Sequence, residues 1–449
     1  MNTKKVTIIG SGLAGNFLAI LLARKGYQVN IYERLSKQEI TTNSSKRSYS
    51  LTFYSYLASV LKKTALWDAL KSSALPIKGS ITYINTDKRP VVVTYKESEL
   101  PYYAIQRNEF VSCLLTEASK YPLISHHYEH SLIGIDRRRQ RVYLDKNQSN
   151  EIIDESYETL IGADGVNSLV RPLAQSAQAC QNSLVVSDWE YKQIAFSPSE
   201  SRMLGFSEGY IYSWTNDTAI LTALPNQDGS YGALLFLPKK GTITFTNLTN
   251  SKSASEFINE SLPFFDPISS RIIENLLENP MGKLQTLRTS PWNYEGSIAI
   301  IGDAAHSLYP FLGQGVSAAF ADCMTLIDLL ENNHSMTEAI ANLEAIRKPN
   351  TDIITELSAR ALTEYRRNRR ADYSSVYNKI ESFLSSRLPD IIMPPLFMSI
   401  MKYPTDAVHY YKKHTFQRKV ARFLGIPVII ALLTVSHALF GRMKKYLFH

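Results

Sequence analysis

The stretch "KKVTIIGSGLAGNFLAILLARKGYQVNIYER", residues 4–34, decides the fold. Val6 to Ile9 form a short apolar run of the kind found in buried parallel strands. Gly10, Gly12 and Gly15 follow directly, then an apolar helical run through Ala23, then "QVNIYE" as a second strand. Each glycine has a mechanical role in such a unit. Gly10 permits the tight turn, Gly12 lets the backbone approach a pyrophosphate, and Gly15 lets helix and strand pack closely. The helix N-terminus supplies free N–H groups and partial positive charge to the phosphates. Glu33 ends the second strand, 18 residues after Gly15, where a carboxylate can bind both ribose hydroxyls. Strand, glycine turn, helix, strand and acid in that order predict a dinucleotide-binding unit. They do not separate NAD from FAD.

Two further segments have the same grammar. "YETLIGADGVNSLVR", residues 157–171, is an apolar strand that ends in a turn containing Asp164 and Gly165. "SIAIIGDAAHSLYPFLGQGVSAAFADC", residues 297–323, is a buried strand ending at Asp303, then a glycine pair opening a helix of small residues. Asp303 and His306 so close together suggest acid/base work, whereas the glycines suggest backbone lying against a ligand. A strand-end histidine more commonly satisfies local backbone than does chemistry.

Composition sets the outer limits. A chain of 449 residues with 44% apolar and 20% charged residues is folded and long enough for two cores. The net charge is +8, without a nucleic-acid module of a familiar kind, so the excess fits membrane phosphates or solubility. Cys113, Cys180 and Cys323 lie far apart, with no zinc spacing, which fits a reducing compartment and predicts neither metal nor disulfide. The N-terminus enters a strand at once, and no signal peptide is expected.

The three segments together resemble those of the group A FAD-dependent aromatic hydroxylases. Residues 291–323, "YSWTNDTAILTALPNQDGSYGALLFLP" (212–238), "RSYSLTF" (47–53) and "PYYAIQRNEF" (101–110) are similar to the kynurenine hydroxylase branch of that family. The resemblance implies noncovalent FAD, with NAD(P)H and O₂ as cosubstrates. It also implies hydroxylation of an activated aromatic ring through a flavin C4a-hydroperoxide. With one dinucleotide fingerprint in the chain, NAD(P)H is expected to bind transiently.

The family's site residues carry over as follows. Gly10, Gly12, Ala14, Gly15, Glu33, Arg34, Arg107, Leu132, Asp164, Gly165 and Asp303 would hold FAD, Asp303 at the ribityl or pyrophosphate region. Gly313, Gln314 and Gly315 would lie against the isoalloxazine, with Val316 and Ser317 at the start of the following helix. Pro310, Phe311 and Gln314 would stand at the reacting position, and Thr52 near the flavin. Tyr95, Leu221 and Phe236 would contact the substrate, although Phe236 and Phe311 fit a plain core equally well.

The departures concern the substrate carboxylate. The family's clamping arginine falls near Ser80, with Lys78 the nearby cation; its asparagine falls on Glu364, and a clamping tyrosine near Pro404, with Tyr403 adjoining. Replacing a guanidinium by a hydroxyl forfeits a charge-assisted pair of about 2–3 kcal/mol. The expectation is a kynurenine-hydroxylase-like enzyme with an altered clamp. A kynurenine hydroxylase proper, its anchor supplied by neighbouring positions, is the close alternative. A membrane flavin dehydrogenase or oxidase passing electrons to a quinone is the alternative of another class.

The fold class expected is α/β: a Rossmann-type FAD-binding domain with an inserted β-sheet substrate domain and a C-terminal helical region. Residues 1–75, 103–172 and 285–345 are assigned to the FAD domain, 76–102 and 173–284 to the substrate domain, and 346–421 to C-terminal helices. Phe423 to Phe440 is a run of 18 residues without Asp, Glu, Lys or Arg, and basic residues flank it on both sides. A spanning helix needs roughly 17–25 residues. The run is therefore a candidate membrane helix, placing the protein on the cytoplasmic side of a membrane through lipid contact; a helix packed on the core would leave it cytoplasmic.

Overall fold

The computed structural model describes residues 4–42, 49–85, 89–95, 102–146, 151–175, 180–332, 335–367, 381–388 and 391–420, and the side chains of 364–367 lie outside the description. The opening stretch folds as its pattern predicts. Strand Lys5–Ile9 leads through the glycine turn into helix Leu13–Arg24 and then strand Gln28–Tyr32. Strand Lys5–Ile9 pairs in parallel with Gln28–Tyr32 on one side and with Thr159–Gly162 on the other. Strand Ile298–Ile300 joins Thr159–Gly162, also in parallel. The three segments singled out in the sequence are thus neighbours in one six-stranded sheet, which Ile124–His127 and Asn293–Tyr294 complete. Their C-terminal ends, where the three turns sit, lie side by side.

Helix packing explains the small residues. Helix Leu13–Arg24 is buried along most of its length and packs on helices Arg107–Ala118 and Gly315–Glu331. Phe17 and Phe320 stack at 3.9 Å between ring centroids, 6° from parallel. Alanines at 318, 319 and 321 let the helices approach this closely.

An eight-stranded sheet lies beyond this unit. Its order is His306–Ser307, Gly282–Ser290, Gln181–Phe196, Tyr231–Pro238, Ile220–Pro225, Tyr210–Thr215, Gly79–Ile84 and Val91–Thr94. Successive strand residues point to opposite faces. One face carries Tyr212, Trp214, Leu221, Ala223 and Leu235 into a core with Phe257, Phe265 and Ile272 of the helical layer at 251–278. The other face looks toward the glycine turns. Leu221 therefore belongs to the core on the far side, and its neighbour Thr222 takes the position expected of it; a shift of one residue reverses the face.

Helix Met336–Arg367 runs along the FAD-side unit, and Leu396–Lys402 packs near it through Leu312, Ile354, Leu357 and Ile400. Residues 381–387 and 407–420 are also helical. Among the described residues no helix is long and apolar enough to cross a membrane, and the candidate segment 423–440 lies outside them.

Candidate active site

A cavity of about 1170 Å³ lies between the glycine turns, the eight-stranded sheet and the C-terminal helices. Of the residues selected from sequence, Gly12, Ala14, Arg107, Gly165, Asp303, Pro310, Phe311, Gly313, Gln314, Gly315 and Val316 line it, together with Ser80, Tyr95 and Phe236. They come from distant parts of the chain, and the fold brings them to one space.

The glycines divide by what a side chain would meet. A Cβ at Gly15 would lie 2.0 Å from the Gly10 carbonyl oxygen, and one at Gly10 would lie 2.5 Å from the Ala163 oxygen. These two positions are closed by protein, and Gly10 also needs its φ of +105°. A Cβ at Gly12 or Gly315 meets nothing within 4 Å, although both positions are on the cavity wall. Each opens a helix toward the cavity, Leu13–Arg24 and Gly315–Glu331. Two helix N-termini converging on open space suit a ligand with two negatively polarised regions, as FAD has in its pyrophosphate and its pyrimidine edge. Unpartnered polar atoms strengthen the fit. Gln314 is buried with neither amide atom hydrogen-bonded within the protein, and Asp164 Oδ1 is also buried without a partner.

Several selected residues support the cavity from behind. Glu33 accepts the Ser11 N–H at 2.9 Å and the Leu35 N–H at 3.0 Å, so its carboxylate fixes the glycine turn. Asp164 Oδ2 accepts the N–H groups of Leu169 and Val170 at 2.7 and 3.1 Å, tying its turn to the next helix. Ser317 is buried in helix Gly315–Glu331, and Arg34 is exposed beyond the second strand. Leu132 is buried in the core, opposite Leu144 in a separate antiparallel sheet, and does not line the cavity.

Asp303 faces the cavity and is open to solvent there, while protein encloses its other sides. That enclosure raises its pKa, and the charges of His306 and Arg107 oppose the rise. His306 does not face the cavity. It is buried, its Nε2 lies 2.6 Å from Asp322 Oδ2, and Arg347 Nε donates to Asp322 Oδ1 at 2.9 Å. The Gly302 N–H also donates to Asp322 at 3.0 Å. Burial pushes the Asp322 carboxyl up, but these partners outweigh it and hold the pKa below the usual range. The triad braces the strand end that presents Asp303.

At the end of the cavity away from the first glycine turn, Phe236 and Phe311 meet at 4.9 Å between centroids. Gly313 adopts φ +61°, and a Cβ there would strike Thr52 Oγ1 at 2.5 Å. Tyr95 donates to Ser80 Oγ at 3.2 Å. The other proposed clamp residues are elsewhere. Lys78 is exposed and off the cavity, and Tyr403 stacks on Tyr410 at 4.9 Å. Glu364 lies on helix Met336–Arg367 one turn beyond Arg360, with its side chain outside the description.

Sequence reasoning missed the C-terminal wall, where Arg360, His414 and Arg418 line the cavity. Arg360 bonds Glu356, while His414 and Arg418 each approach Glu381 at 3.3 Å. It also missed Thr82, Ser213 and Thr222 on the sheet. Their signal was available: each is a polar residue at an alternate position of an apolar strand.

Paired helix N-termini over a glycine-turn sheet, closed by a second sheet around a ring-sized apolar end, define a flavin-dependent oxygenase fold. The comparisons agree. The chain belongs to the FAD binding domain family, whose profile matches residues 3–335. It is 28% identical to kynurenine 3-monooxygenase of Salinispora arenicola (strain CNS-205), over 98% of each chain. It is likewise 28% identical to the enzyme of that name from Flavobacterium johnsoniae, over 87% of each. The fold matches the tetrameric form of 2-methyl-3-hydroxypyridine-5-carboxylic acid oxygenase with a TM-score of 0.67, at 20% identity, over 83% of this chain and 94% of that one. It matches CtdE in complex with FAD and substrate 4 with a TM-score of 0.65, at 20% identity, over 81% and 90%. The protein is an FAD-dependent monooxygenase, and the quinone-reducing alternative is not favoured.

Proposed function

We propose that the protein hydroxylates a small aromatic ring bearing an amine or hydroxyl group, in the manner of the kynurenine hydroxylases but with an altered carboxylate clamp. The observation that carries this reading is the continuous cavity from Gly12 to Phe236, with the unpartnered Gln314 amide between its two ends. FAD, when bound, takes reducing equivalents from NAD(P)H and activates O₂ toward an electron-rich ring. The chain's own residues do the rest. Gly12 and the helix behind it bind the pyrophosphate, Arg107 and Asp303 hold the middle of the cofactor, and Gly313 to Val316 cradle its ring. Pro310, Phe311 and Gln314 orient the substrate, while Phe236 and Phe311 keep water from the reacting face.

The clamp positions read Ser80, Glu364 and Pro404, which makes L-kynurenine a weak substrate. The division into an FAD domain, an inserted sheet domain and C-terminal helices supports this reading, because the cavity lies where the three would meet. Lipid contact through residues 423–440 is also proposed, on the uncharged run with basic residues at both ends.

The test is purification, followed by NAD(P)H oxidation with L-kynurenine, tryptophan, anthranilate and simple phenols and mass analysis of the products. Gly12→Val should strip the flavin, since its side chain would fill the open space at the turn. Full FAD occupancy in that variant, or ring-stimulated oxidation that inserts no oxygen, would overturn the reading.

A further inference from the structure

The sheet wall that carries Phe236 is polar in an ordered way beyond it. Thr82, Ser213 and Thr222 lie on three adjacent strands, and the register sets Ser213 opposite both Thr82 and Thr222. All three line the cavity. Ser80 and Tyr95 stand beside this row. Thr222 pairs with Leu234, two residues before Phe236, so the row begins roughly 8 Å from Phe236 and runs away from it across the sheet, about 5 Å per strand.

These hydroxyls are weakly engaged with one another. Ser213 and Thr222 are 3.4 Å apart, and the Tyr95–Ser80 bond is 3.2 Å. A hydroxyl offers one donor and two acceptor positions, so the row retains capacity toward the cavity. Burying such groups under a ligand without partners costs free energy, and an apolar row would cost none.

The cations on the cavity wall are committed. Arg107 lies at the end of the cavity assigned to FAD, Arg360 bonds Glu356, and Arg418 shares Glu381 with His414. Arg360 and Arg418 each have a carboxylate beside them. A substrate carboxylate would have to compete for them.

We infer that Thr82, Ser213 and Thr222, with Ser80 and Tyr95, form the specificity wall, and that the substrate carries neutral hydrogen-bonding groups where kynurenine carries a carboxylate. The inference rests on the hydroxylase reading above and names its substrate class. It predicts an aromatic amine or phenol that carries amide, ketone or hydroxyl substituents on the side of the ring toward this row.

The probes are L-kynurenine and its primary amide, which share ring and chain, titrated into the FAD-loaded enzyme and followed by the flavin difference spectrum. The amide should bind at least tenfold more tightly than the acid. Thr82→Val with Thr222→Val should weaken the amide tenfold or more, from the loss of two neutral hydrogen bonds, and leave the acid within twofold. FAD stoichiometry checks folding in each variant, and Ser213→Ala, with less volume change, should give a smaller loss in the same direction. Tighter binding of the acid, an unchanged amide affinity in all variants, or no response to either probe overturns the inference while leaving the flavoprotein assignment standing. Failure of the wild-type chain to hold FAD strikes that assignment instead.

Discussion

Two triads of the same composition hold this molecule, and they differ in almost everything else. Asp322 joins His306 and Arg347 inside the FAD-side unit, with side chains no more than 2% exposed and distances of 2.6 and 2.9 Å. Glu381 joins His414 and Arg418 among the C-terminal helices at 3.3 Å each, and the Arg418 side chain is 36% exposed. The first triad has no contact with the cavity and braces the turn that presents Asp303. The second has two of its members on the cavity wall. A shared acid–histidine–arginine composition therefore says little about role. Burial and the neighbouring element decide it.

The largest expected effect comes from breaking the tighter triad. Asp322→Asn leaves Arg347 buried without its counter-charge, and such a loss costs about 3–5 kcal/mol. The Gly302 N–H also loses a charged acceptor, so FAD affinity should fall with stability. Denaturant unfolding with flavin fluorescence measures both. Adding Arg347→Met should recover part of the stability, because the stranded charge is then gone. A single variant within 1 kcal/mol of wild type would erase the distinction between the triads.

Glu381→Gln should do less. Arg418 keeps much of its hydration, so the pair is worth about 1 kcal/mol, and FAD should remain bound. The effect should appear in substrate handling, as a raised KM with kcat little changed, because His414 and Arg418 line the cavity. Flavin loss in this variant would mean that the C-terminal helices hold the cofactor side as firmly as the buried triad does.

The same contrast explains what could be read from sequence. The FAD-side unit was legible because its turns need glycine for local steric reasons, and its strands are continuous apolar runs. Gly10 and Gly15 follow from such rules, Gly12 from the approach of a pyrophosphate, and Asp303 and Gly313 from the family resemblance. Leu221 did not, because an alternating strand leaves its face open until the register is known. Lys78 and Tyr403 were assigned by position along the chain, whereas the fold turns them away from the cavity. The second triad was invisible for another reason. Glu381 meets His414 and Arg418 only through helix packing, which no local pattern announces.

The smallest effect expected is a difference in acid response. Burial raises the Glu381 carboxyl, yet hydrogen bonding and charge from His414 and Arg418 prevail and hold its pKa below the ordinary 4.5. Its unfolded form therefore takes up a proton before its folded form does as pH falls. Stability from this group is complete above about pH 4.5 and is lost as pH drops through the lowered folded value. His126 adds a separate response. Burial depresses its pKa to about 4 from 6.5, so wild type and variant alike should weaken between those values on acidification. Subtracting the unfolding midpoints of Glu381→Gln from those of wild type removes this shared limb. The difference should shrink below about pH 4.5, because the glutamine has no proton to gain. A difference that does not shrink below pH 4.5 would mean that the Glu381 carboxylate does not govern the second triad.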